Sequence, residues 1–188
     1  MKIAIIGGIG SGKSEVLKVA RELGLATLSA DEINAELLEK PDYISQIAQV
    51  FPSAVKRGKI IIPKLAQIVF SDKEQLARLN SIAHPKILER ITTDVRDPLV
   101  VEMPLLVECG AQGLFDEIVL VYTPLNIRKE RLATGRGMFR AQVESRIGAQ
   151  ASEEVLQAVA TRVIDNSLDL EVLKENARKL FWELARIC

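Results

Sequence analysis

A chain of 188 residues, 48% apolar and 27% charged, is long enough to bury one core of its own and too apolar to be disordered. Its 25 basic and 25 acidic residues leave no net charge, which excludes a global basic field for nucleic acid or anionic lipid, so a charged partner has to be met by a local site. Cys109 and Cys188 lie far apart and form no C-x-x-C pair, which points away from a zinc knuckle, a redox motif or a disulfide framework and toward a reducing cytoplasm.

The apolar run Ile3 to Ile6 is too short for a secretory signal and is broken at once by Gly7, Gly8 and Gly10. No stretch elsewhere approaches the ~20 apolar residues of a membrane span. The same run suits a strand buried on both faces, and therefore a parallel sheet. From Ser14, helical spacing of Val16, Leu17, Ala20 and Leu23 predicts a helix, with Gly24 placed to end it. Leu25 to Leu28 is a second short strand, and Ser29-Ala30-Asp31-Glu32 has the form of a capping box opening the next helix. Residues 34–94 read as mainly helical and interrupted at Pro52, Pro63 and Pro85. Strands return at Leu99 to Met103 and Glu117 to Tyr122, and a fifth at Arg162 to Ile164 is closed by Asp165-Asn166. Apolar strands alternating with helices predict a doubly wound α/β fold around a parallel five-stranded sheet, with ligands at the carboxyl ends of the strands.

Gly7-Gly8-Ile9-Gly10-Ser11-Gly12-Lys13-Ser14 satisfies G-x-x-x-x-G-K-[ST] between a predicted buried strand and a predicted helix. Glycines at this spacing let successive N–H groups converge on phosphate oxygens, and the helix N-terminus adds partial positive charge. Gly8, Ile9, Gly10, Ser11, Gly12, Lys13 and Ser14 are therefore assigned to ATP, with Lys13 on the β/γ-phosphates and Ser14 as the Mg²⁺ ligand. A dinucleotide fingerprint starting at Gly8 would need its third glycine at residue 13, which is Lys13. The fold is accordingly of the P-loop NTPase and nucleoside monophosphate kinase type.

Taken along its length, the chain resembles the dephospho-coenzyme A kinase family. The resemblance rests on the P-loop, on Ala30-Asp31-Glu32-Ile33, on Ile68-Val69-Phe70-Ser71-Asp72 followed by His84-Pro85, on Pro104-Leu105-Leu106-Val107-Glu108, on Ala149-Gln150 and on Val163-Ile164-Asp165-Asn166. It implies transfer of the ATP γ-phosphoryl to the ribose 3′-hydroxyl of dephospho-coenzyme A, a small-molecule substrate, with no nucleic-acid or membrane partner. Within one domain spanning 1–188 it implies a helical acceptor-binding segment at 32–96 and a lid at 126–150.

Asp31, at the end of the second strand, is either the acceptor-side catalytic carboxylate or a helix cap. Glu102 is a Walker-B-like acid or a strand-end carboxylate with a structural hydrogen bond. His84, Pro104 and Leu105 are given substrate contacts by the resemblance. Residues 126–150 carry Arg128, Lys129, Arg131, Arg136, Arg140 and Arg146 against Glu130 and Glu144, the one marked charge concentration in the chain. It reads either as a lid whose Arg136, with Arg140 behind it, closes on the phosphates, or as two solvated helix faces. The family pattern has charged residues where this chain has Ser29, Ala35, Ile61-Ile62, Gly135 and Leu156. Those departures keep two further readings in play: a P-loop kinase for another nucleoside or nucleotide, and a nucleotide-binding regulatory member with little turnover.

Overall fold

The computed structural model describes residues 1–135 and 140–186. Its elements are β1 (Lys2–Ile6), α1 (Lys13–Glu22), β2 (Ala26–Ser29), α2 (Ala30–Leu37), α3 (Pro41–Val50), β3 (Val55–Lys56), β4 (Lys59–Ile60), α4 (Ile62–Ser71), α5 (Lys73–Thr92), β5 (Leu99–Glu102), β6 (Glu117–Tyr122), α6 (Leu125–Gly135), α7 (Arg140–Gly148), α8 (Glu153–Val159), β7 (Arg162–Asp165) and α9 (Leu170–Arg186). They form two compact units, one of Met1–Ser29 with the chain from Val95 onward, the other of Ala30–Asp94.

The first unit is built on a parallel sheet of order β2-β5-β1-β6-β7. β1 is central, and Ile3, Ala4, Ile5 and Ile6 are fully buried, as a strand covered on both faces requires. Helices α1 and α9 pack together against the sheet, where Val16, Leu17, Ala20, Val100, Val119, Leu173 and Phe181 join one apolar cluster. α1 is closed just past its cap residue Leu23 by Gly24, whose φ of 78° is open to glycine, and the Leu25 and Gly24 amides bond to Ala20 and Arg21 carbonyls in a Schellman arrangement.

The second unit packs α2 to α5 around Tyr43, Ile47, Leu65, Val69, Ile87 and Ile91. Two details differ from the sequence reading. Pro85 lies inside α5 and does not interrupt it. It removes the hydrogen bond to Ser81, but Ala83, Ile87 and Ile91 remain buried on one side of the helix, and tertiary packing outweighs the lost bond. The small antiparallel hairpin β3–β4 stands inside the stretch expected to be mainly helical, where no strand was expected. Its turn, Arg57-Gly58, has positive φ at both residues (52° and 71°), the two-residue geometry that matches strand twist. Among the described residues, no helix is long and apolar enough to cross a membrane.

Candidate active site

The turn from β1 into α1 is the P-loop, and neighbouring strands fasten it from both sides. Lys13 is buried, and its Nζ donates to the Gly7 and Gly8 carbonyls at 2.9 and 3.2 Å, which folds the side chain along the loop. The Ser11 amide closes the turn on the Gly8 carbonyl at 3.1 Å. Gly12 caps α1 with φ 99°, and a Cβ there would come within 2.5 Å of Asn166 Nδ2, so this position needs glycine on both counts.

On the β5 side, Ser14 Oγ donates to Glu102 Oε1 at 2.9 Å, and Glu102 is buried at the end of its strand. The hydroxyl expected to bind the metal is therefore hydrogen-bonded to the carboxylate at the end of β5. Pro104 and Leu105 follow in the turn after β5, half-buried, and Glu108 Oε1 accepts from the Ala151 amide at 2.7 Å.

On the β6 and β7 side lies a network that the sequence did not disclose. The Ser11 carbonyl accepts from Asn166 Nδ2 at 2.7 Å and from Thr123 Oγ1 at 3.0 Å, all within the protein interior. Thr123 Oγ1 also lies 3.3 Å from the Asn166 carbonyl, which in turn accepts from Arg131 Nη2 at 3.2 Å. Gln150 takes a further P-loop contact, its Oε1 accepting from the Ile9 amide at 2.7 Å. Asn166 and Gln150 stood in the sequence only as members of quoted motifs, and Thr123 carried no signal beyond its place after a strand.

The basic stretch divides. Arg131 reaches the loop after β7, bonding the Asn166 and Leu168 carbonyls, and Arg128 is buried against Gly8, while Lys129 and Arg146 face solvent. Burial draws the Arg128 guanidinium below its ordinary pKa, opposed by Glu153 and then Tyr122. Arg140 opens α7, and Arg136 lies outside the described residues. In the second unit, Asp31 is an exposed residue in the first turn of α2, and His84 is half-buried midway along α5. Ser29 and Leu156, two positions where the resemblance led to the expectation of a charge, are buried at 4% and 7% exposure.

A family profile described as dephospho-CoA kinase matches residues 1–171, nearly the whole of this arrangement. The chain belongs to the dephospho-CoA kinase family. It is 36% identical over 194 residues to a dephospho-CoA kinase of Thermobifida fusca, covering 99% of this chain and 97% of the relative. Among solved structures it is similar to a Thermus thermophilus protein, with a TM-score of 0.83, 34% identity and coverage of 98% and 97% of the two chains. It is also similar to a dephospho-CoA kinase from Campylobacter jejuni, with a TM-score of 0.75, 25% identity and coverage of 99% and 98%. The P-loop fold and nucleotide use expected from the sequence agree with membership of this kinase family.

Proposed function

We infer that the chain transfers the terminal phosphoryl group of ATP to the ribose 3′-hydroxyl of dephospho-CoA, giving CoA and ADP. The observation that carries the reading is the Ser14–Glu102 pair, set beside Lys13 on a P-loop in a chain of this family.

A hydroxyl and a carboxylate oxygen 2.9 Å apart are hard donors that suit Mg²⁺, an ion commonly held by one or two protein oxygens with phosphates completing its shell. Bound there, Mg²⁺ would neutralise charge building on the phosphoryl oxygens. The protein's own part is positioning. The glycines from Gly8 to Gly12 let backbone N–H groups meet the phosphates, and the N-terminus of α1 presents further donors with its dipole. Lys13 moves its ammonium from the loop carbonyls to the phosphate chain.

On the acceptor side, Asp31 orients the 3′-hydroxyl and takes its proton as the new O–P bond forms and the bond to ADP breaks. Residues 32–96 supply the acceptor groove, with His84, Glu102, Pro104 and Leu105 in contact with the substrate. Residues 126–150 serve as a lid that brings Arg136 and Arg140 to the phosphates and excludes water. The reading places a small-molecule enzyme in the cytoplasm.

The test is coupled ADP release with Mg²⁺-ATP, comparing dephospho-CoA, adenosine, AMP and no acceptor, with Lys13→Ala as the blank. Turnover with dephospho-CoA alone is expected, and EDTA should abolish it. Turnover with another acceptor would overturn the substrate, and nucleotide binding without turnover would overturn the enzyme.

A further inference from the structure

A cation taken out of water is costly unless an anion meets it. Arg128 is 9% exposed, and no hydrogen bond or ion pair to another described residue holds its guanidinium. The group is instead laid against the P-loop backbone, where a Cβ at Gly8 would come within 1.7 Å of Nη1. Glu153 is felt as a charge, but it is not within ion-pair distance.

The guanidinium faces a cavity of about 480 Å³ whose wall also includes Gly8, Ser11, Thr123, Gln150 and Glu153. Among the neighbouring polar groups, Gln150 Oε1 is engaged with the Ile9 amide, Thr123 Oγ1 with the Ser11 carbonyl, and Ser152 Oγ with the first turn of α8, while Ser11 Oγ is buried without a partner among the described residues. Arg128 stands beside it, a planar fork of five donors with no acceptor of its own.

We propose that Arg128 and the cavity beside Gly8 form an oxyanion-binding subsite that takes a phosphate group of a bound substrate. The proposal rests on the kinase reading above. A phosphate offers the bidentate oxygens that the guanidinium fork matches, and it supplies the negative charge that the buried cation lacks. Both the donor nucleotide and dephospho-CoA carry phosphate groups, and kinetics separates the two sources.

The experiment uses the full chain, its Arg128→Met and Arg128→Lys variants, and inorganic pyrophosphate as the probe. Removing an uncompensated buried cation should raise the melting temperature of ligand-free Arg128→Met by ~3 °C, while pyrophosphate binding weakens ~10- to 100-fold. Arg128→Lys, which keeps charge and loses the fork, should bind pyrophosphate with intermediate affinity. In steady state, a rise in KM for ATP alone assigns the subsite to the donor, and a rise for dephospho-CoA alone assigns it to the acceptor. Pyrophosphate affinity within twofold of the parent in both variants overturns the proposal, as does an unchanged KM for both substrates. A lower melting temperature in Arg128→Met with unchanged affinity would make Arg128 a structural residue. Pyrophosphate binding needs no acceptor, so failure of ADP release with every acceptor would overturn the kinase reading and leave this comparison intact.

Discussion

The Ser11 carbonyl is the point at which the P-loop is tied to two strands other than its own, and a double-mutant cycle can measure that tie. Thr123→Val keeps side-chain shape and removes the hydroxyl 3.0 Å from Ser11 O, and Asn166→Ala removes the amide 2.7 Å away. In either single variant the carbonyl keeps one partner, so the loss is that of one neutral hydrogen bond, about 1 kcal/mol, with some packing loss added in Asn166→Ala. In the double variant the carbonyl of a residue that is 1% exposed has neither donor, and its desolvation adds ~1–3 kcal/mol that neither single change incurs. The cycle should therefore show a coupling of about 1–3 kcal/mol, with the double variant worse than the sum. Urea unfolding of the four proteins at constant m-value measures it. ATP KM should follow the same order, because the residues beyond Ser11 lose their fixed direction. Additivity within ~0.5 kcal/mol would refute the reasoning, since it would mean that Ser11 O is not held by both groups.

Gly12→Ala should destabilise the fold and weaken ATP binding together, because the new methyl meets both a left-handed φ and the Asn166 amide; thermal melts with and without nucleotide check this. Lys13→Ala should lower kcat by ~100- to 1000-fold, the scale of losing one preorganised charge-stabilising group, without lowering the melting temperature by more than a few degrees. Glu102→Gln keeps an acceptor for Ser14 Oγ and removes the negative charge, so the Mg²⁺ concentration for half-maximal activity should rise several-fold while ligand-free stability holds. Cys109 should be slow to alkylate: burial first, and then the Glu108 charge, push its thiol up to about 11. At pH 8 only about a thousandth of it is thiolate, and in a Cys188→Ser background labelling should climb about tenfold per pH unit until pH approaches 11.

What could be read from the sequence was local. The P-loop was legible because its chemistry is fixed by eight consecutive residues, and the buried strands because Ile3 to Ile6 and Glu117 to Tyr122 are continuous apolar runs. The strand order was not legible, because pairing β1 with β5 joins residues almost a hundred positions apart. The β3–β4 hairpin was missed because two-residue strands carry no period, although Arg57-Gly58 was the turn signal. Asp31 and Glu102 were singled out by their places at strand ends. Thr123 was not, since a threonine after a strand has many duller uses. Arg128 was read with the lid or solvent-facing charges because basic residues cluster around it. Its spacing told otherwise: it lies four residues before Leu132, which is 1% exposed, and so on the inward face of α6.

The bond from Asn166 to Ser11 spans 155 positions of the chain. On the ribosome, residues 7–14 carry the whole phosphate-binding motif, yet the loop they form is held by a side chain synthesised about 150 residues later. A nascent chain halted before β7 should bind nucleotide more weakly than one in which β7 and α9 have both left the ribosome, because Asn166 steadies the loop and α9 covers α1.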